Sequence, residues 1–484
     1  MKVYLSESLD CYRQFLLIKS LPRYEIHGRM AWFPDEYAAA VGVQSASKKP
    51  VPYVPRDGLF DYQRAIVAMA VEKEKMAIFA DCGLGKTLML LEYARHVRQA
   101  SPDKPVLIVS PLMVVPQTIA EAAKFYGDLL PIEQVSAKGL AKWMTTPGGR
   151  LGITNYDALR DDTPSGNLAG LILDESSMLK SHYGKWGQVC LRLGAGVRWK
   201  LALTGTPAPN DRIEYANHAV FLDAFPNVNS FLAKFFINRG QTNERWELKP
   251  HALRPFYRAL SHWCIFLTDP STYGWKDNVH NIPPIHVHID EVRLSSAQEK
   301  AVRAETGQLF VTELGGITTR AKLSRMAKCE SSVKPQFIVD QVRSWPDEST
   351  IIWCKYNEEQ DTLARMMPDA ASIDGSTPVE ERQRLVDDFK AGRTRVLITK
   401  PKILGFGLNL QVCTRQVFSG LQDSYEEYYQ AVKRSNRVGS TRPLNVHIPV
   451  TEIERPMVEN VLRKARRVEA DTREQEAMFR ESSI

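Results

Sequence analysis

The sequence predicts an α/β protein with two parallel sheets in tandem, and three observations carry that prediction. Short apolar runs alternate with amphipathic helical stretches along most of the chain, the pattern of strands joined by crossover helices. A glycine-rich loop joins one such run to a helix at Ala80–Thr87. At 484 residues, 44% hydrophobic and 25% charged, the chain exceeds one ordinary core and suits two to four domains. No run approaches the roughly 20 apolar residues that span a bilayer, and Met1–Gln14 has neither an apolar signal core nor a cleavage site, so a cytoplasmic location away from membranes is expected. Seven cysteines stand singly with no CxxC pair, which argues for reduced core thiols over zinc or redox chemistry. A net charge of +7 suits a nucleic-acid partner but is moderate for this length.

Taken in order, Leu59-Phe60-Asp61-Tyr62-Gln63 opens an amphipathic helix, and the Gln63 amide can pair with the two-faced edge of adenine. The apolar run Met76–Phe79 then leads into Ala80-Asp81-Cys82-Gly83-Leu84-Gly85-Lys86-Thr87. Cys82, Gly83, Leu84 and Gly85 supply backbone N–H groups to a triphosphate, Lys86 places a cation between the outer phosphates, and the Thr87 hydroxyl is offered to magnesium. The chemistry implied is hydrolysis of ATP or a similar nucleotide. Val106–Ser110 reads as a buried strand ended by Pro111, and Leu151–Tyr156 as another. The strand Leu171–Leu173 ends in adjacent carboxylates, where such a sheet needs them: Asp174 to hold magnesium, Glu175 to orient and deprotonate the attacking water. Trp199–Leu203 runs into Thr204-Gly205-Thr206-Pro207, whose hydroxyls at Thr204 and Thr206 can sense the terminal phosphate, although such clusters are also plain turn punctuation.

A second set of strands follows at Ile351–Cys354, Ser372–Asp374 and Arg395–Thr399, with an amphipathic helix over Val379–Phe389 and no second phosphate loop. A helix is expected over Tyr425–Arg437, on which Gln430, Arg434 and Arg437 share a face.

These blocks, LFDYQ, ADCGLGKT, LIVSPLMVVPQ, ITNYDALR, LILDESSMLK, LALTGTPAPN, IDGSTPVEERQRLVDDFKAG, VLITKPKILGFGLNLQ and YYQAVKRSNRVGS, resemble in order the ATPase core of the Swi/Snf-like branch of helicase superfamily two. The resemblance runs from about Leu59 to about Val450. It implies two RecA-like domains with helical insertions between them: an accessory segment 1–55, a first domain 56–213, a helical insertion 214–280, a second domain 281–455 and a helical tail 456–484. It also implies ATP and magnesium as cofactors and DNA, duplex and with little sequence preference, as partner. Gln430 would contact nucleotide, and Arg434 and Arg437 would neutralise charge on the transferred phosphoryl group. Phosphate-backbone contacts fall to Ser110 and Pro111, to Gly375, Ser376 and Thr377, and to Gly407 and Asn409. The chain departs from the family pattern at Ala80, where a glycine is common, at Ser177, where relatives often carry histidine, and at Lys433, where they often carry glycine.

The resemblance implies an ATP-dependent DNA translocase in replication, recombination or repair. A strand-separating helicase and an inert nucleic-acid-binding scaffold remain alternatives. Residues 1–55, with Tyr12, Arg13, Tyr24, Arg29, Trp32 and Phe33, read either as a module for DNA or a protein partner or as a cap on the first sheet. Arg463-Lys464-Ala465-Arg466-Arg467 reads as a solvated helical face. A monomeric protein of bacterial or viral type is expected from the short length.

Overall fold

Seven parallel strands form the first sheet, in the order Cys264–Leu267, Lys75–Ala80, Trp199–Thr204, Gly170–Asp174, Val106–Ser110, Leu151–Asn155 and Glu133–Gln134. Apart from the short Glu133–Gln134 edge they are almost wholly buried, as expected of a parallel sheet covered on both faces. Alternation along each strand divides two cores: Ala77, Phe79, Leu171 and Leu173 face one, and Met76, Ile78 and Ile172 the other. This computed structural model describes all residues except 22–23, 35–36, 44–51, 165–166, 181–183, 241–245, 277–281, 307–316, 330–331, 405–408, 422–423, 438 and 483–484. The stretch Gln44–Pro50, whose polar composition reads as a linker, and the site residue Gly407 therefore lie outside the described residues.

The chain divides into two units, residues 1–278 with 470–484 and residues 279–469. The second unit has its own sheet of six parallel strands: Ile285–Glu291, Leu444–Val450, Arg415–Phe418, Thr350–Trp353, Val396–Thr399 and Ala371–Ser372. Ile351 and Trp353 pack on one face of that sheet, Ile352 and Cys354 on the other. Two parallel-sheet domains in tandem are thus present. Among the described residues no helix is long and apolar enough to cross a membrane.

Three details differ from the expected layout. Segment 214–280 is not purely helical: after the helices Tyr215–Phe221, Val228–Phe235 and Leu253–Ser261 comes the strand Cys264–Leu267, hydrogen-bonded alongside Lys75–Ala80. Its four residues are all buried and apolar, and Phe221, Phe231, Phe235 and Phe256 from the preceding helices, with Phe225 from the turn between the first two, join the first core. The first sheet thus closes at Leu267, beyond residue 213. The helix Arg455–Ser482 is continuous, and from Ala470 it belongs to the first unit, where Asp471 pairs with Arg212 and accepts from the Tyr257 hydroxyl. Finally, the helix starting at Tyr425 ends at Ser435, so Arg437 does not lie on it. Asn436 donates its side-chain amide to Pro283 O, and Gly439, at φ 92°, completes a turn in which Ser440 N–H bonds Arg437 O.

Residues 2–43 form a small body of their own. Strands Lys2–Tyr4, Met30–Trp32 and Glu25–His27 pair antiparallel, and the helix Leu9–Ser20, capped by Ser8, covers them with Ile18 and Leu21 against Ala31 and Phe33. Lys234 Nζ donates to Leu21 O at 2.9 Å, and Tyr37 meets His262 edge-on, which joins this body to the first unit.

One buried carboxylate anchors the helix behind the phosphate loop. Glu92, fully buried on helix Lys86–Ala100, accepts from Tyr53 and Tyr126 hydroxyls, Arg56 N–H and the Arg95 guanidinium. Burial alone would raise its pKa, but Arg95, Tyr126 and Arg56 outweigh burial and hold the carboxyl below its ordinary value. Stability from this group is therefore present above the unfolded carboxylate pKa and lost as pH falls through the lower folded value. Removing the carboxylate in Glu92→Ala takes the acceptor from two hydroxyls and Arg56 N–H and breaks the buried ion pair of Arg95, which keeps only the neutral acceptors Val54 O and Gln99 Oε1. We expect a loss of about 3–5 kcal/mol, read from denaturant midpoints at neutral pH. A loss below about 1 kcal/mol would mean the network is no stronger than a surface pair.

Candidate nucleotide-binding site

The site is built on the carboxyl ends of neighbouring strands in the first sheet. Lys75–Ala80 delivers the loop Asp81–Gly85, and Gly85 caps helix Lys86–Ala100, so the first-turn N–H groups face the loop. Gly83 and Gly85 sit at φ 91° and 70°, left-handed values natural to glycine. A Cβ at Gly85 would also fall 2.3 Å from Gln63 Nε2. Lys86 folds back on the loop, its Nζ 2.8 Å from Ala80 O and 3.2 Å from Asp81 O. Its ammonium therefore lies in the loop's own cradle on acceptors that a phosphate can replace. Cys82 N–H bonds the Asp81 carboxylate at 2.6 Å, and Cys82 and Thr87 are both half-buried.

Gln63 is buried beneath this loop. Its Oε1 accepts Phe60 N–H at 3.1 Å, closing the start of its helix, and its Nε2 lies 3.4 Å from Leu84 O. The Tyr62 hydroxyl donates to the same carbonyl at 3.0 Å. The amide expected at adenine is here a brace for the phosphate loop.

Asp174 ends its strand buried, accepting from Ser110 Oγ at 2.9 Å and from Glu175 N–H at 3.1 Å. Burial first, then the neighbouring Glu175 charge, push its carboxyl well above the usual range, opposed by Ser110 and Lys86. Ser110 corrects the sequence reading: it is fully buried and holds Asp174, so it is not placed to touch nucleic acid. Glu175 adopts φ 47°, a left-handed conformation that strains a non-glycine residue and turns the carboxylate out of the strand line. Thr204 Oγ1 donates to Glu175 Oε2 at 3.3 Å and accepts Thr206 N–H at 3.1 Å. The Thr206 hydroxyl is buried without a hydrogen-bond partner among the described residues. Lys86, Asp174, Glu175, Thr204 and Thr206 are thus brought to one edge of one sheet.

Magnesium suits the donors present. Asp174 and Thr87 offer hard oxygens, and the raised Asp174 carboxyl marks a buried charge that a cation would stabilise. No group of three His, Cys, Asp or Glu side chains fit to hold a metal occurs among the described residues, and Thr87 and Asp174 are the side chains that would hold a divalent ion here.

The remaining expected residues lie elsewhere. Gln430 and Arg434 are buried on helix Tyr425–Ser435 of the second unit, and half-buried Arg437 follows in the turn beyond it. Gly375 and Ser376 are exposed in a tight turn closed by Asp374, whose Oδ1 accepts from Ser376 and Thr377. Those two hydroxyls and N–H groups hold its carboxyl below the ordinary value. Asn409 is exposed and bonds Gln411, and Pro111 is half-buried. Sequence reasoning missed the supports of the Asp-Glu turn: Tyr156 OH on Asp174 O at 2.8 Å, Ser176 on His218, and Asn217 on Leu179 O.

Comparison with known proteins agrees with this architecture. The family description "SNF2-related domain" matches residues 62–337, and "Helicase conserved C-terminal domain" matches 333–439. Among similar curated proteins, the DNA annealing helicase and endonuclease ZRANB3 of Mus musculus is 23% identical, over 81% of this chain and 38% of its own length. The Drosophila melanogaster SWI/SNF-related matrix-associated actin-dependent regulator of chromatin subfamily A-like protein 1 is 24% identical, over 80% of this chain and 52% of its own. The chain thus spans about half or less of these two relatives. A solved Sulfolobus solfataricus SWI2/SNF2 ATPase core in complex with dsDNA aligns over 84% of this chain and 90% of its own, at 18% identity and TM-score 0.41. With the SNF2-related match alone covering more than half of the sequence and the helicase match continuing it, the chain belongs to the SNF2-related, Swi/Snf-like branch of helicase superfamily two.

Proposed function

We propose that this protein is an ATP-dependent motor that moves along duplex DNA, hydrolysing ATP at the site on its first sheet. The observation that carries the reading is the grouping of Lys86, Asp174, Glu175 and Thr204 on neighbouring strand ends beside a glycine loop. Loop N–H groups and Lys86 bind the phosphates, while Thr87 and Asp174 hold magnesium, which when bound offsets charge developing on the phosphates. Glu175 orients the attacking water and takes its proton. Thr204, the last residue of its strand, ties that carboxylate to the loop bearing Thr206, so the state of the site is passed to that loop. Arg434 and Arg437 are the proposed partners of the charge on the transferred phosphoryl group, a role supported by family membership.

DNA is the favoured substrate because similar curated proteins are named as DNA helicases. Pro111, Gly375, Ser376, Thr377 and Asn409 are the proposed backbone contacts, with Ser110 withdrawn. The body at residues 2–43 is the proposed attachment point for a protein partner.

Steady-state ATP hydrolysis with no nucleic acid, single-stranded DNA, duplex DNA and RNA, at equal nucleotide concentration and low salt, tests the reading. We expect strong stimulation by duplex. Stimulation mainly by single strands or RNA would favour a strand-separating helicase, and no hydrolysis under any condition would overturn the motor.

A further inference from the structure

The turn that carries Glu175 is not held by its own strand alone. Residues Ser176–Leu179 form a short helical turn after the left-handed Glu175, and two side chains from helix Tyr215–Phe221 grip it. Asn217 Nδ2 donates to Leu179 O at 2.6 Å, and His218 Nε2 lies 3.0 Å from Ser176 Oγ. Ser176 and His218 are both completely buried. An imidazole in such a place costs desolvation, and burial pushes its pKa down to about 4, so the ring stays neutral at physiological pH. Its ring packs T-shaped with that of Phe79, centroids 5.2 Å apart and planes at 87°, on the strand that leads into the phosphate loop.

The other end of the same helix is tied to the loop after Thr206. Glu214 accepts Asn210 N–H and Asn210 Nδ2, both at 2.9 Å. The helix is therefore fixed at one end to the Thr204–Asn210 loop and, through Asn217 and His218, to the turn behind Glu175. A polar pair buried this deeply stabilises one geometry over others because each partner, left alone, has no water to turn to.

We propose that His218 is a positioning residue for ATP hydrolysis: by holding the Ser176 hydroxyl it fixes the left-handed turn that aims Glu175 at the attacking water. The assignment rests on the ATPase reading above. Both residues are fully buried, away from any surface a nucleotide could reach, so their loss should misdirect the general base without weakening nucleotide binding. Misplacement of a reacting group by a fraction of an ångström is enough to slow chemistry by an order of magnitude or more.

The test is a double-mutant cycle on the full chain, with DNA-stimulated kcat, KM for ATP and nucleotide affinity measured for Ser176→Ala, His218→Leu, the double variant and His218→Gln. Gln places an amide nitrogen near the position of Nε2. We expect kcat to fall about tenfold in Ser176→Ala and His218→Leu, with KM and affinity within about twofold of wild type. The double variant should lose no more than either single one, and His218→Gln should recover most of the loss. Ser176→Ala removes a single oxygen, so its result stands even if His218→Leu fails to fold. Unchanged kcat in Ser176→Ala, or equal losses in kcat and nucleotide affinity, would overturn the positioning role. A wild-type protein without ATP turnover would instead overturn the ATPase reading itself.

Discussion

Lys86→Ala is expected to abolish ATP turnover and to weaken nucleotide binding by at least about a hundredfold, as loss of charge-assisted bonds of roughly 3 kcal/mol predicts. The ammonium is held by two loop carbonyls, at 2.8 and 3.2 Å, and forms no carboxylate ion pair among the described contacts. Exchange of those neutral acceptors for phosphate oxygens is favourable, and no other side chain of the loop can supply the missing cation. Both acceptors are neutral backbone carbonyls, of Ala80 at the strand end and Asp81 at the loop start, and Lys86 itself is half-buried, so the substitution should leave the fold intact and the melting temperature within a few degrees. Nucleotide binding followed by a fluorescent ATP analogue, alongside phosphate release, checks both halves. Turnover within about threefold of wild type would remove the phosphate loop from the mechanism.

The second large effect separates binding from chemistry. Glu175→Gln keeps the side-chain length and an oxygen for Thr204 Oγ1, now at 3.3 Å from the carboxylate, but removes the base. General-base catalysis contributes about 10²–10⁴-fold, so kcat should fall by that factor while ATP affinity is retained or rises. Affinity is expected to hold because the change also removes the negative charge that raises Asp174. The decisive readout is a single-turnover rate beside an equilibrium binding curve. A parallel collapse of both would show that Glu175 shapes the pocket instead of the reaction.

How much of this was legible in the sequence depended on the range of the interactions involved. The phosphate loop, the Asp174–Glu175 pair and most sheet strands announce themselves within a few residues, through glycine placement and apolar runs, and the structure contains them. Ser110 could not be assigned the same way: its hydroxyl meets Asp174 only because Val106–Ser110 lies beside Gly170–Asp174 in the sheet, and strand neighbours are not written in either segment. Cys264–Leu267 reads as part of an insertion because four apolar residues after an amphipathic helix suit its continuation equally well. Spacing alone puts Arg437 on a helix, whereas Asn436 and Gly439 favour the turn that ends it. His218 sits in the run Ala216–Phe221, and only burial beside Ser176 distinguishes it from an ordinary core histidine.

The return of the last helical turns to the first unit carries a consequence for biosynthesis. Arg212 must wait for Asp471, 259 residues later, and Thr268 for Glu476, 208 residues later. A nascent chain that has already emitted the whole nucleotide pocket still lacks the segment that closes its core, where Met478 and Phe479 are buried. Loop closure over such distances is slow, and units normally fold as their residues emerge. The nucleotide-binding unit, made first, is therefore the one whose folding is finished last.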